Sequence, residues 1–262
     1  MASPLLELDH VTKRFGRVVI AEDLSLAVGP GDVVGIVGPN GAGKTSLFGL
    51  ISGDLAPGAG EIRFAGRTVT KLDSAARCRL GIGRTYQVPR PFGDMTVFEN
   101  LLVAAQQGGG LRRRASYAVA VEALERTGMP AHANLPAERL GLLQRKRLEL
   151  ARALATQPSL LLLDEVAGGL TDPEVAQLVE IVRGINAGGT AVIWIEHVVR
   201  ALTAVVSRLI CLAGGKFVGD GEPATVLAEP AVREVFLGTE VTAALVGGSL
   251  EARPANGDRS DP

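Results

Sequence analysis

Val33-Val34-Gly35-Ile36-Val37-Gly38-Pro39-Asn40-Gly41-Ala42-Gly43-Lys44-Thr45 is the stretch on which the fold of this chain turns. Val33 to Val37 is apolar without alternation, the pattern of a strand covered on both faces. Gly38 to Thr45 then has the spacing GxxxxGK[ST], and Lys44 to Ser52 reads as a helix. Strand, glycine loop and helix in that order is the context in which this spacing holds phosphate. Glycines let successive backbone N–H groups turn inward at a helix N-terminus. The lysine neutralises the β and γ phosphates, and the threonine hydroxyl is placed for Mg²⁺. The nucleotide-contacting set expected here is Gly38, Asn40, Gly41, Ala42, Gly43, Lys44, Thr45 and Ser46.

Working outward, similar apolar runs recur at Leu160 to Leu163, Ala191 to Ile195 and Leu209 to Leu212. Separated by helical patterns, they predict central strands of a parallel sheet, and hence an α/β fold. Leu5 to Val11, Leu24 to Val28 and Glu61 to Phe64 instead alternate, which predicts antiparallel, half-exposed strands. Between about 88 and 157 strand signals give way to helical ones, pointing to an inserted helical subdomain. Gly108-Gly109-Gly110 and Arg112-Arg113-Arg114 interrupt it as a flexible loop opening a solvated helix. From about Thr239 the periodicity is lost, and 239–262 are expected to form a disordered tail.

Chemistry-bearing residues lie at the ends of these runs. Leu160 to Leu163 is followed by Asp164-Glu165, two carboxylates at the carboxyl end of a buried strand, where open α/β sheets bind ligands. Asp164 is placed to hold Mg²⁺ through its water shell, and Glu165 to orient or deprotonate the water that attacks a γ phosphate. Ile193-Trp194-Ile195-Glu196-His197 brings a histidine to the same edge, suited to sensing that phosphate. Gln87 closes Arg84-Thr85-Tyr86-Gln87 at a strand-to-loop junction. Neither His197 nor Gln87 carries weight alone.

Composition narrows the class. Charged residues make up 21% and hydrophobic ones 47%, a globular balance, and net charge is −1, which offers no basic face for nucleic acid. Cys78 and Cys211 are far apart and outside any CxxC spacing, so two buried free thiols in a reducing compartment are expected. The N-terminus has no signal-peptide pattern, and no apolar run approaches the roughly 20 residues that cross a bilayer. Any membrane role is expected to pass through a partner.

Taken in order, Phe15, the phosphate loop, Gln87, Leu140 to Leu154, Asp164-Glu165 and His197 resemble the motif series of ABC ATPases: A-loop, Walker A, Q-loop, signature, Walker B and H-loop. The resemblance covers about residues 5–238. It implies an ABC-type P-loop NTPase with a RecA-like parallel-sheet core, an antiparallel β subdomain and an inserted helical subdomain. It implies ATP and Mg²⁺ as ligands, with Phe15 stacked on adenine. Thr45, Gln87 and Asp164 would surround the metal, and Glu165, His197 and Gln87 the γ phosphate. Arg84 to Gln87, Pro91-Phe92, Met95 to Ala104, Leu148 to Thr156 and Phe236-Leu237-Gly238 are similar to the ATPases of branched-chain amino acid importers. Importers of urea or short amides and ATPases of lipopolysaccharide export share much of this pattern.

The resemblance therefore implies an ATP-hydrolysing subunit, peripheral at the cytoplasmic face of the inner or plasma membrane. Its partners would be transmembrane permease subunits, a second ATPase subunit in a homodimer or heterodimer, and indirectly a substrate-binding protein. A permease helix would dock near Gln87 to Leu101, on an apolar groove of Phe92, Met95 and Phe98. A soluble ABC ATPase acting on DNA or ribosomes is the alternative class. Three features depart from the family pattern. Leu140-Gly141-Leu142-Leu143-Gln144 stands where LSGGQ is usual, so Gly141, Leu142, Leu143 and Gln144 would face nucleotide across the dimer without the serine and with leucines for glycines. Val166 replaces the proline after Walker B. Gly168-Gly169-Leu170-Thr171 replaces a SALD-like segment. Intact Walker motifs beside a degenerate signature imply one competent and one slower site in a pair with a different sister subunit.

Overall fold

The computed structural model describes residues 3–237, so the expected tail at 239–262 and Gly238 lie outside the described residues. Two sheets carry the fold. A β1–β2 hairpin (Leu6–Phe15, Val18–Val28) joins β4 (Ala59–Phe64) and β5 (Arg67–Thr68) in an antiparallel sheet of order β2-β1-β4-β5. Here β3 (Val33–Val37) is the first strand of the other sheet, and α1 (Lys44–Ser52) follows it directly. The chain continues through α2 (Ser74–Leu80) and β6 (Ile82–Arg84) to α3 (Val97–Val103), α4 (Arg113–Arg126) and α5 (Leu142–Ala155). It returns as β7 (Leu160–Asp164), α6 (Asp172–Ala187), β8 (Ala191–Ile195), α7 (Val199–Thr203), β9 (Arg208–Ala213) and β10 (Lys216–Gly221), then α8 (Pro223–Ala228) and α9 (Pro230–Leu237). The second sheet has the order β10-β9-β3-β8-β7-β6 and is parallel except for β10, which turns back against β9.

The apolar runs are continuous because both sheet faces are covered, and side chains alternate between them. Val33, Val37, Leu161, Leu163, Val192, Trp194, Leu209 and Cys211 enter a core shared with α5 and α6. Their strand neighbours Val34, Ile36, Leu160, Leu162, Ile193, Ile210 and Leu212 enter a second core with α1 and the antiparallel sheet. The helices α3, α4 and α5 lie between β6 and β7, and α3 opens on a capping box of Thr96 and Glu99. Past α3 the helix widens into a π-helical turn, Ala104–Gly108, before the arginine run.

Helix α1 is held at its C-terminus by a residue the sequence does not single out. Arg77 on α2 is 1% exposed and donates to the carbonyls of Leu50 (2.6 Å) and Ile51 (2.9 Å), as well as to those of Leu72 and Thr70. Last-turn carbonyls have no partner inside a helix, and a buried guanidinium supplies several donors at once. Two expectations need correction. Cys78 is only half-buried, whereas Cys211 is fully buried, because Cys78 lies on a short surface helix and Cys211 on a central strand. Phe98 does not line an open groove with Phe92 and Met95. Phe92 and Met95 are exposed, but Phe98 packs into the core and meets Tyr117 edge-on at 5.5 Å.

Candidate active site

Parallel pairing of β3 with β8 and of β8 with β7 aligns their carboxyl ends, so the residues that follow them share one sheet edge. The phosphate loop follows β3, Glu165 follows β7 and His197 follows β8. Gly38 has φ 152° and a Cβ there would stand 2.0 Å from the Leu212 carbonyl oxygen; Gly43 has φ 104° and its Cβ would meet the Ile20 carbonyl at 2.4 Å. Only glycine fits at either position. Gly43 leaves α1 without a side-chain cap, so the first N–H groups of the helix stay open to an anion. Asn40, Gly41 and Thr45 are exposed, Ser46 is half-buried and Ala42 is buried. Lys44 is buried, and its ammonium donates to the carbonyls of Gly38 (2.7 Å) and Pro39 (2.9 Å). Burial lowers its pKa, while Glu165 and Asp164 act to raise it.

Glu165 is the hub. Its Oε2 accepts from Gln87 Nε2 at 2.5 Å, and its Oε1 lies 2.7 Å from His197 Nε2. Residues from three separate loops thus meet on one carboxylate. Glu165 also holds φ 49°, a left-handed backbone uncommon for a residue with a side chain. Asp164 is 1% exposed; its Oδ2 accepts from Arg84 Nη2 at 3.1 Å, while its Oδ1 is buried with no partner. Burial raises its pKa and Arg84 counteracts that. Arg84 also reaches Asp54 at 3.0 Å and Ser52 at 3.1 Å, linking the end of α1 to the end of β7.

Thr45, Gln87 and Asp164 line one cavity of about 490 Å³, together with Arg84, Tyr86 and Glu149. Among the described residues there is no cluster of three or more histidine, cysteine or acidic side chains to hold a metal. Three residues that line the same cavity carry oxygen of different kinds: the Thr45 hydroxyl, the Asp164 carboxylate, whose buried Oδ1 has no partner, and the Gln87 side-chain carbonyl, whose amide nitrogen is turned to Glu165. This set suits Mg²⁺, which takes oxygen ligands and is commonly bound by one carboxylate plus substrate phosphates.

Phe15 stands apart from this cavity, 54% exposed at the β1–β2 turn, with the Lys13 ammonium 5.2 Å from its ring centre. Strand β2 of the same hairpin touches the phosphate loop at Ile20. The signature residues do not line the cavity either. Gly141 is the extended N-cap of α5, with no side-chain cap. Leu142 is 49% exposed and rests on Gly169, where a Cβ would lie 3.3 Å from its methyl. Leu143 is buried and Gln144 is half-buried, folded back over Gly141. Sequence reasoning missed Arg84, Lys146 and Glu196. Nothing in the spacing marks Arg84, and Lys146 stands in the polar run Gln144-Arg145-Lys146-Arg147; only Glu196, directly after the apolar run Ala191 to Ile195, carries a signal in the sequence.

Residues 21–168 match the ABC transporter family. The chain belongs to that family. As an ABC cassette it is an ATPase, and it is 35% identical over 253 residues to the High-affinity branched-chain amino acid transport ATP-binding protein LivG of Escherichia coli K12, covering 91% of this chain and 99% of that protein. The Lipopolysaccharide export system ATP-binding protein LptB of Acidithiobacillus ferridurans is 33% identical, with 91% and 98% covered. A crystal structure of the ADP conformation of an ATP-binding cassette of an ABC transporter superposes with a TM-score of 0.81 at 27% identity, covering 90% of this chain and all of that one. The α/β architecture expected of the cassette, with its antiparallel sheet and inserted helices, is the one observed. Among the described residues no helix of the cassette is long and apolar enough to cross a membrane.

Proposed function

We propose that this cassette powers an importer of branched-chain or related amino acids. The supporting observation is the similarity to LivG, which spans 91% of this chain and 99% of that protein. In this reading it binds transmembrane permease subunits at the cytoplasmic face of the membrane, pairs with a second ATPase subunit and serves a substrate-binding protein only indirectly. Exposed Tyr86, Val88, Phe92 and Met95 next to Gln87 offer the permease an apolar surface adjoining the active site.

Within the site, the phosphate loop from Gly38 to Ser46 cradles the phosphates of ATP, Lys44 neutralises the β and γ groups, and Phe15 packs against adenine. Glu165 accepts the proton of the attacking water, which then adds to the γ phosphorus as the bond to ADP breaks. His197 and Gln87, each in contact with one Glu165 oxygen, fix the orientation of that carboxylate. Thr45, Asp164 and Gln87 would hold Mg²⁺, which when bound neutralises charge on the phosphate oxygens.

Glu165→Gln is expected to leave ATP binding within about twofold and to lower turnover by about 10²- to 10⁴-fold, the usual contribution of a general base. Turnover at the unsubstituted rate would remove Glu165 from this role. Cargo is tested separately, by deleting the gene from its host and measuring uptake of labelled leucine, isoleucine and valine against urea. Loss of amino acid uptake, restored by the intact gene but not by the Glu165→Gln form, is the expected result. The similarity to LptB supports a second reading, lipopolysaccharide export, which predicts an envelope defect with amino acid uptake unchanged.

A further inference from the structure

Lys146 lies one turn inside α5, just past the leucine-bearing signature. It is 5% exposed, an unusual burial for an ammonium group. Its Nζ donates to two backbone carbonyls, that of Gln87 at 3.2 Å and that of Glu165 at 3.1 Å. These belong to the two loops whose side chains meet in front, where Gln87 Nε2 donates to Glu165 Oε2 at 2.5 Å. One cation on the inserted helices therefore fastens both loops from behind, while their side chains bond to each other on the cavity side.

The Glu165 backbone needs such fastening. Its φ of 49° is a strained conformation for a residue with a side chain and persists only where the surroundings over-determine it. Its N–H donates to the Ile195 carbonyl at 2.9 Å, and its carbonyl accepts from Gly168 N at 3.3 Å as well as from Lys146. Of these bonds only that to Lys146 comes from the inserted helices; the others are made within the sheet edge. Burial lowers the pKa of the ammonium, and the acidic groups around it, Glu196, Glu165, Asp164 and Glu149, offset that cost only in part.

We propose that Lys146 is a positioning residue for ATP hydrolysis, locking Gln87 and Glu165 together so that movement of α5 makes or releases the arrangement that activates water. This rests on Glu165 being the general base. A shift of α5 by even about 1 Å would break the pair of ammonium contacts, which already lie at 3.1 and 3.2 Å. The phosphate loop would be unaffected, because Lys146 touches none of it.

The test compares ATP hydrolysis by the full-length protein carrying Lys146→Met, Lys146→Arg or Lys146→Gln, with Glu165→Gln in parallel and thermal melts of each. The expected result is a kcat lowered about tenfold or more in Lys146→Met, with KM for ATP within about twofold, a split that marks loss of transition-state rather than ground-state interaction. Lys146→Arg, which keeps the donors and the charge, is expected to recover most of the rate. A kcat within about twofold of the unsubstituted protein in Lys146→Met, or a Lys146→Arg protein no faster than Lys146→Met, would overturn the proposal. Should Lys146→Met not fold, the same comparison is read from Lys146→Gln, which keeps a neutral donor and is expected to fall between Arg and Met. Undiminished turnover in Glu165→Gln would instead remove the general-base reading, whatever the lysine variants do.

Discussion

Glu196 shows how much single side chains at this sheet edge depend on burial. It is 2% exposed, and its Oε1 accepts from Ala167 N at 2.6 Å and from Trp194 Nε1 at 3.2 Å. Burial raises its pKa, with the hydrogen bonds from Ala167, Trp194 and His197 acting the other way. The folded protein therefore holds this proton more strongly than the unfolded chain does. A group of that kind adds its full stability below its unfolded pKa and loses it as pH rises through the folded value. Compared with Glu196→Gln, the unsubstituted protein is expected to gain stability as pH falls through the raised folded pKa towards the ordinary carboxylate range. Urea melts at several pH values check this, and a constant difference between the two proteins would contradict it. The same logic explains why Cys211 is not expected to react with thiol reagents in the folded state: burial pushes its pKa up to about 11.

At the scale of elements, α1 matters most because its N-terminus is kept open for phosphate and its C-terminus is closed by Arg77. Replacing Arg77 with Met would leave the carbonyls of Leu50 and Ile51 buried without that partner. Each buried acceptor left unsatisfied costs about 1–3 kcal/mol, so Arg77→Met is expected to lower unfolding stability by that much or more. Denaturant melts measure it, and because Arg77 lies at the far end of α1 from Lys44, nucleotide affinity of the folded fraction is expected to change little. The order of elements was legible beforehand wherever apolar runs were long, as at Val33 to Val37 and Leu160 to Leu163. Strand β6, only Ile82–Arg84, was legible only as the strand-to-loop junction before Gln87, and strand β10, Lys216–Gly221, left too little pattern to be read. Both are edge strands, and an edge strand has little need of a continuous apolar run.

At the scale of the whole molecule, we propose that the signature governs how two copies meet. Leu142 projects from the N-terminus of α5, 49% exposed, and Leu143 fills the core beneath it. An apolar side chain at an open helix N-terminus keeps a phosphate at a distance that a glycine would not. The Glu165→Gln protein with Mg²⁺-ATP is therefore expected to sediment as a monomer, and the same protein with Leu142→Gly and Leu143→Gly as a dimer. A dimer formed with the leucines in place would show that they do not obstruct closure. The sequence by itself determined the α/β class, the phosphate loop and the two acids, because these are written in contiguous residues whose local pattern follows from backbone sterics and two-sided burial. Only the tertiary structure decided that Gln87 and His197 meet on Glu165, that Arg84 occupies one oxygen of Asp164, and that Lys146 spans two loops. Those partners are separated by up to 80 residues along the chain, and contacts of that kind are set by sheet order and helix packing, for which no local spacing rule exists.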